Sequence, residues 1–127
     1  MKEPVFTGSA VALVTPFRNY KIDYEKFGEF IEYHIKNGSD AIVVCATTGE
    51  SPTQTTEEHL EAVGFCVSKA AGRIKIIAGT GSNDTVHAVH MCRTAQSMGA
   101  DGLLMVTPYY NKTTQRGLIK HYLHVAD

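Results

Sequence analysis

An α/β fold with a parallel sheet, built from four strand–helix units, is the fold class that the sequence predicts. Three observations point to it. Short, continuously apolar runs recur at residues 10–14, 41–45, 74–78 and 102–106. Longer stretches of helical periodicity separate and follow them. The chain also resembles itself: Asn37-Gly38-Ser39-Asp40-Ala41-Ile42-Val43-Val44 matches Met98-Gly99-Ala100-Asp101-Gly102-Leu103-Leu104-Met105 in pattern. Each segment reads as a helix stop, a short turn and a buried strand. Strand followed by helix, repeated, is the mark of a parallel sheet.

The apolar runs do not alternate with polar residues, which suits parallel strands covered on both faces. Lys75 is the exception and is expected near the start of its strand. Asp23 is placed to cap a helix carrying Tyr24, Phe27, Phe30, Ile31 and Ile35 on one face. Thr55 and Glu58 have the spacing of a capping box, with Leu60, Val63 and Val67 following. Asp84 caps a third helix whose inward positions are Ala88, Met91, Cys92, Ala95 and Met98. Thr114 caps a fourth, with Leu118, Tyr122 and Val125 inward. Helix ends are expected near Asn37-Gly38, Gly72 and Gly99. No linker or low-complexity segment interrupts the pattern, so residues 1–127 are read as a single domain. Four units make half of an eightfold barrel, and the pattern alone allows a small open doubly wound sheet equally well.

The composition narrows the function classes. With 127 residues, the chain can bury roughly two thirds of its unfolded surface. It carries 12 basic and 13 acidic residues, interspersed, for a net charge of -1. That balance offers no footprint for nucleic acid and none for an acidic membrane surface. Three cysteines, Cys45, Cys66 and Cys92, form no CxxC pair, which argues against a disulfide framework or zinc site and for a reducing cytoplasm. Met1-Lys2-Glu3-Pro4 shows no apolar signal region. No apolar run approaches the roughly 20 residues that span a bilayer.

In parallel α/β folds the ligand site lies beyond the carboxyl ends of the strands. Polar residues gather there: Thr15-Pro16-Phe17, Thr47-Thr48-Gly49-Glu50-Ser51, Gly79-Thr80-Gly81-Ser82-Asn83 and Thr107-Pro108-Tyr109-Tyr110-Asn111. Thr47-Thr48-Gly49 offers hydroxyls and closely spaced N–H groups that can hold a carboxylate or phosphate, or it is an ordinary strand-to-helix turn. Gly79-Thr80-Gly81 lacks the third glycine of a dinucleotide fingerprint and the lysine of a P-loop. Tyr109 and Tyr110 can relay a proton or pack at an interface. His87 and His90, like His121 and His124, are three apart on helices without a third ligand. They are read as solvated helix faces, and no metal is predicted. Cys45 ends the second strand, where burial would leave it inert.

In order and spacing, Val14-Thr15-Pro16-Phe17, Thr47-Thr48-Gly49-Glu50-Ser51, Ala78-Gly79-Thr80-Gly81-Ser82-Asn83 and Val106-Thr107-Pro108-Tyr109-Tyr110-Asn111-Lys112 resemble the dihydrodipicolinate synthase family over essentially the whole chain. The resemblance implies a (β/α)₈ TIM barrel of which this chain is the first half. It implies an aldolase-type lyase that joins pyruvate to a small aldehyde, aspartate semialdehyde, on the route to lysine. A lysine Schiff base serves as electron sink, with no other cofactor.

By the same resemblance Thr48 would hold the pyruvate carboxylate, and Thr47 would join a hydroxyl proton relay. Tyr110 would supply a second relay member to the neighbouring subunit's site, and Tyr109 would pack at that interface. Ser51, His59 and Asn83, with Tyr109, resemble part of a lysine feedback site. Thr56 and His87 stand where sensitive members often carry histidine and glutamate, which argues against feedback. Ala46 and Thr113 stand where the family usually has glycine and proline. The family's other relay tyrosine and its Schiff-base lysine come from strands five and six, so this chain is expected to be inactive alone. Lys112 is the one lysine beyond a strand's carboxyl end, and its loop position suggests solvation. A half-barrel would expose two sheet edges, so the chain is expected to form a homo-oligomer or to join a complementary half-barrel. A sister aldolase such as N-acetylneuraminate lyase is the other enzyme reading, and a non-catalytic assembling half-barrel is the alternative to both.

Overall fold

The computed structural model describes residues 3–127. Along the chain it places β1 (Ala10–Ala12), a hairpin of β2 (Phe17–Arg18) and β3 (Lys21–Ile22), α1 (Tyr24–Lys36), β4 (Ala41–Val44), α2 (Thr56–Ala70), β5 (Lys75–Gly79), α3 (Thr85–Ser97), β6 (Gly102–Leu104) and α4 (Gln115–Ala126). A one-turn 3-10 helix, Ser51–Thr53, lies between β4 and α2. All four expected strands and all four expected helices form. The small hairpin was not anticipated. Its turn puts Asn19 and Tyr20 at φ +52° and +62°, the double left-handed conformation that suits a two-residue hairpin loop.

The sheet order is β1-β4-β5-β6, every pair parallel. Order in space follows order in sequence, and the helices pack consecutively, α1 on α2, α2 on α3 and α3 on α4. A doubly wound sheet would reverse direction and place helices on both faces. This arrangement is instead one continuous arc of strand–helix units, as in half of a (β/α)₈ barrel.

The register explains which residues form the core. Val11, Ile42 and Ile76 share one row, and Val44 pairs with Ala78 in the next row on that face. These residues meet the helices. Phe27 and Ile31 of α1 and Ala62, Val63 and Cys66 of α2 are fully buried against them. Burying a Phe or Ile side chain is worth about 1.5–3 kcal/mol, so this layer dominates stability. The opposite row, Ala12, Val43, Ile77 and Gly102, looks into the concave side. There Val14, Leu104 and Val106 remain exposed. Leu103 on the edge strand is also uncovered.

Helix starts follow the sequence signals. Asp23 accepts from the Lys26 N–H, Asp84 from those of Val86 and His87, and Thr114 from that of Gly117. Thr55 and Glu58 form the reciprocal capping box. Met98, expected inward, is instead the residue that ends α3 and is exposed. His121, expected on a solvated face, is 6% exposed. It lies between α3 and α4 because its Nδ1 bonds the Thr85 hydroxyl at 2.8 Å.

The internal repeat corresponds to a repeated device at the amino ends of the strands. The Asp40 carboxylate accepts from Ser9 N at 2.7 Å, and Asp40 N donates to Ser9 O at 3.0 Å. In the second copy the Asp101 carboxylate accepts from Ile76 N at 2.9 Å, and Asp101 N donates to Ile76 O at 2.8 Å. Each aspartate thus clamps the start of the preceding strand. Burial raises the Asp101 pKa, but Lys75 at 2.8 Å and the Ile76 N–H outweigh it and hold the carboxyl below its ordinary value.

On the outside, Glu32 of α1 takes a bidentate pair from Arg73, at 2.8 and 3.0 Å, and Lys69 approaches at 3.1 Å. Hydrogen bonds from Arg73, then Lys69, pull the Glu32 pKa down from 4.5 to about 2. Because the folded value is depressed, the contribution is complete above 4.5 and is lost as pH falls toward 2. NMR titration should find the Glu32 carboxyl still charged at pH 3. Glu32→Gln should remove the acid dependence that this pair causes, and salt should weaken the effect in the wild type. An ordinary Glu32 titration would refute the pairing.

Candidate active site

The carboxyl ends of the strands surround a cavity of about 220 Å³. Cys45, Ala46, Thr47 and Ser51 line one side, with Gly79, Gly81 and the 104–106 segment opposite. Its shape depends on a sharp bend. Cys45 follows β4 at φ +52° and Glu50 closes the turn at φ +57°. Between them the chain doubles back so closely that a side chain on either flanking glycine would collide. A Cβ on Gly79 would lie 2.5 Å from Cys45 O, and one on Gly49 would lie 2.9 Å from Cys45 N.

One acceptor secures the turn. The Thr15 hydroxyl, buried just beyond β1, donates to Gly49 O at 2.7 Å, and Gln54 Nε2 donates to the same oxygen at 2.7 Å. Thr47-Thr48-Gly49 is therefore held from both sides. Thr47 lines the cavity, and Thr48 is exposed on the same turn. Thr15 and Gln54 were not among the predicted site residues. For Thr15 the signal was present, a hydroxyl directly after the apolar run at residues 10–14. For Gln54 there was none, because its partner is a backbone oxygen.

Cys45 is 1% exposed, and burial pushes its thiol up to about 12. It is a neutral wall of the cavity rather than a nucleophile. Cys66 and Cys92 are buried too.

A second, polar cavity of about 190 Å³ lies behind the first and shares Ser51 and Gly81 with it. His59, Thr56, His87 and Tyr109 also line it. His59 Nε2 donates to Gly79 O at 2.7 Å, since a carbonyl can only accept. Burial lowers the His59 pKa, opposed by the Gly79 bond and reinforced by His87. The ring is therefore neutral at pH 7 and ties α2 to the end of β5. Asn83 lies beside this cavity, not in its lining. Its Nδ2 donates to Tyr109 O at 3.2 Å and Asn111 Oδ1 at 3.4 Å, which uses both its hydrogens.

Tyr109 is 51% exposed, and Tyr110, at 96%, projects into solvent. Tyr110 lines neither cavity. The structure therefore brings Thr47 and Ser51 together but leaves Tyr110 reaching away from its own chain's cavity. Lys112 is exposed at φ +49°. Among the described residues no group of three or more His, Cys, Asp or Glu is placed to hold a metal ion. No described helix is long and apolar enough to cross a membrane.

Gly79→Ala should cost about 3 kcal/mol, since the collision is with backbone rather than a movable side chain. Urea unfolding checks it, and a loss below about 1 kcal/mol would show that the bend can relax.

Comparison with known proteins accounts for this arrangement. The dihydrodipicolinate synthetase family model matches residues 5–127. The 4-hydroxy-tetrahydrodipicolinate synthase of Thermoanaerobacter sp. (strain X514) is 60% identical over 123 residues, covering 97% of this chain and 41% of that protein. The crystal structure of dihydrodipicolinate synthase from Aquifex aeolicus superposes with a TM-score of 0.94 at 60% identity, over 95% of this chain and 41% of that one. The chloride-inhibited enzyme from Acinetobacter baumannii, complexed with pyruvate, gives a TM-score of 0.92 at 44% identity, over 94% and 41% of the two chains. The chain thus spans about two fifths of the length of the relatives it matches. With its strand-end motifs, its one-directional arc of units and its match to the family model over residues 5–127, the chain belongs to the dihydrodipicolinate synthetase family.

Proposed function

We propose that this chain carries the pyruvate-facing half of an aldolase-type lyase that condenses pyruvate with aspartate semialdehyde in lysine biosynthesis. The observation that carries the reading is the Thr47-Thr48-Gly49 turn, pinned through Gly49 O at the mouth of the strand-end cavity. A lysine amine adds to the pyruvate carbonyl with loss of water. The iminium then gives up a methyl proton, and the enamine carbon attacks the aldehyde. Thr48, with its backbone N–H, holds the pyruvate carboxylate. Thr47 passes protons as one hydroxyl of a relay, and Tyr110 supplies another to a neighbouring subunit's site. Tyr109 packs at that interface. The pyruvate bound to the A. baumannii enzyme supports this substrate class, and the Thr47-Thr48 pair with the Pro108-Tyr109-Tyr110-Asn111 run favours it over N-acetylneuraminate lyase chemistry. The nucleophile comes from beyond the four-stranded parallel sheet: Lys112 is exposed, and the reaction needs an amine in a dry pocket.

The second cavity, with Ser51, His59 and Tyr109 in its wall and Asn83 beside it, is the counterpart of a regulatory site. With Thr56 and His87 in its lining, and no carboxylate lining it among the described residues, it offers no partner for an ammonium group, which argues against inhibition by lysine.

Borohydride trapping with pyruvate, read by intact mass and peptide mapping, tests the catalytic reading. The chain alone should give no adduct. Co-folded with the remaining segment of the A. aeolicus relative, it should restore trapping on that segment, and Thr48→Ala should weaken pyruvate binding at least about tenfold, as for a lost charge-assisted contact. An adduct on Lys112 would relocate the nucleophile, and a complemented barrel that never condenses pyruvate with the aldehyde would sink the proposal.

A specific observation also supports assembly. β1 and β6 are unpaired edges, and Val14, Leu103, Leu104 and Val106 are uncovered. Such surfaces associate. Sedimentation velocity on the purified chain should show a dimer or larger species, whereas a well-folded monomer in dilute solution would rule this out.

A further inference from the structure

Tyr110 is held in a posture that its own residue type disfavours. Its φ is +72°, and Lys112 two positions on is at +49°. Residues with a Cβ avoid this region because it crowds the neighbouring carbonyl. The Tyr110 ring is 96% exposed, so no packing within the chain offsets the strain.

What does hold the segment is a lock between two amide side chains. Asn111 Nδ2 donates to Asn83 O at 2.9 Å. Asn83 Nδ2 answers with bonds to Tyr109 O at 3.2 Å and to Asn111 Oδ1 at 3.4 Å. Within the loop, Asn111 N donates to Tyr109 O at 2.9 Å. The lock closes immediately on both sides of Tyr110 and anchors it to the turn that starts α3.

We propose that Asn111, working with Asn83, is the positioning pair that holds Tyr110 in its outward, left-handed conformation. The functional weight of the pair rests on the reading of Tyr110 as a relay member given to a neighbouring subunit. Neither asparagine lines the strand-end cavity: they act by fixing where a phenol hydroxyl is presented. Positioning a reacting group to within an ångström matters strongly for rate, and a solvent-borne tyrosine without such a lock would sample many directions.

The test uses the chain itself, labelled with ¹⁵N, and measures solvent exchange of its backbone amides by NMR. The Asn111 N–H is the main probe, because it is bonded only while the loop holds its shape. Asn111→Ala and Asn83→Ala should each speed exchange at residues 110–112 by about tenfold, as expected for the loss of one or two hydrogen bonds. Exchange in β5 and α3 should not change. Glycine adopts positive φ without a Cβ clash, so in a Tyr110→Gly background Asn111→Ala should have a smaller effect, under about threefold. Unchanged loop exchange would overturn the proposal. So would acceleration spread through β5 and α3, or an equal response in both backgrounds, which would show that the amides merely tether a surface loop. None of these readouts involves pyruvate. A failed lock would therefore leave the catalytic reading standing, and failed trapping would leave the lock standing.

Discussion

Two donors converge on the carbonyl oxygen of Gly49, the hydroxyl of Thr15 and the amide of Gln54. Much of the carboxyl-end surface depends on that convergence. Thr15 extends from β1 and Gln54 leads into α2, so one oxygen fastens the turn after β4 to elements on both sides of it. The turn then has a single way to lie, with Cys45 left-handed and its backbone pressed against Gly79. A cavity with a fixed Thr47 on its rim is the result. Gln54 serves this at a local cost: its Oε1 is buried without a partner among the described residues, and an unpartnered buried acceptor is unfavourable.

The two ends of the sheet have different physical jobs. At the amino ends, Asp40 and Asp101 clamp strand starts through paired side-chain and backbone bonds. At the carboxyl ends the bonds run between loops and hold the backbone of the Thr47-Thr48-Gly49 turn and of the Tyr109–Asn111 segment. His59 connects the two cavities at this end, since its imidazole lines one and its bond is to Gly79, which lines the other. A buried neutral histidine suits that task, donating one hydrogen without bringing a charge.

The fold was largely legible because its signals are local. Continuous apolar runs, four capping residues and terminal glycines each depend on a few neighbouring positions, and Asp23, Thr55, Asp84 and Thr114 all cap as their spacing implies. What the sequence did not show are features created by contacts across the chain. His121 reads as a surface residue until α3 brings Thr85 to its ring. Gln54 reads as loop polarity until Gly49 folds beneath it. The choice between half a barrel and an open sheet was likewise not local: it depends on the direction in which successive units add. Within the candidate site, Thr15 and Asn111 stand in strand-end motifs, but the sequence did not show that they hold their loops, because their bonds go to backbone oxygens, and Gln54 left no signal at all.

The aspartate clamps also bear on how such a chain could acquire its structure. Each carboxylate belongs to the turn entering a later strand, yet it secures the beginning of an earlier one, 31 residues back for Asp40 and 25 for Asp101. Those separations are modest, so closing each loop costs little chain entropy. The starts of β1 and β5 are thus each latched soon after the next strand of the sheet emerges. Growth from the amino terminus, as during synthesis, would secure β1 once the turn into β4 is made, and β5 once the turn into β6 is made.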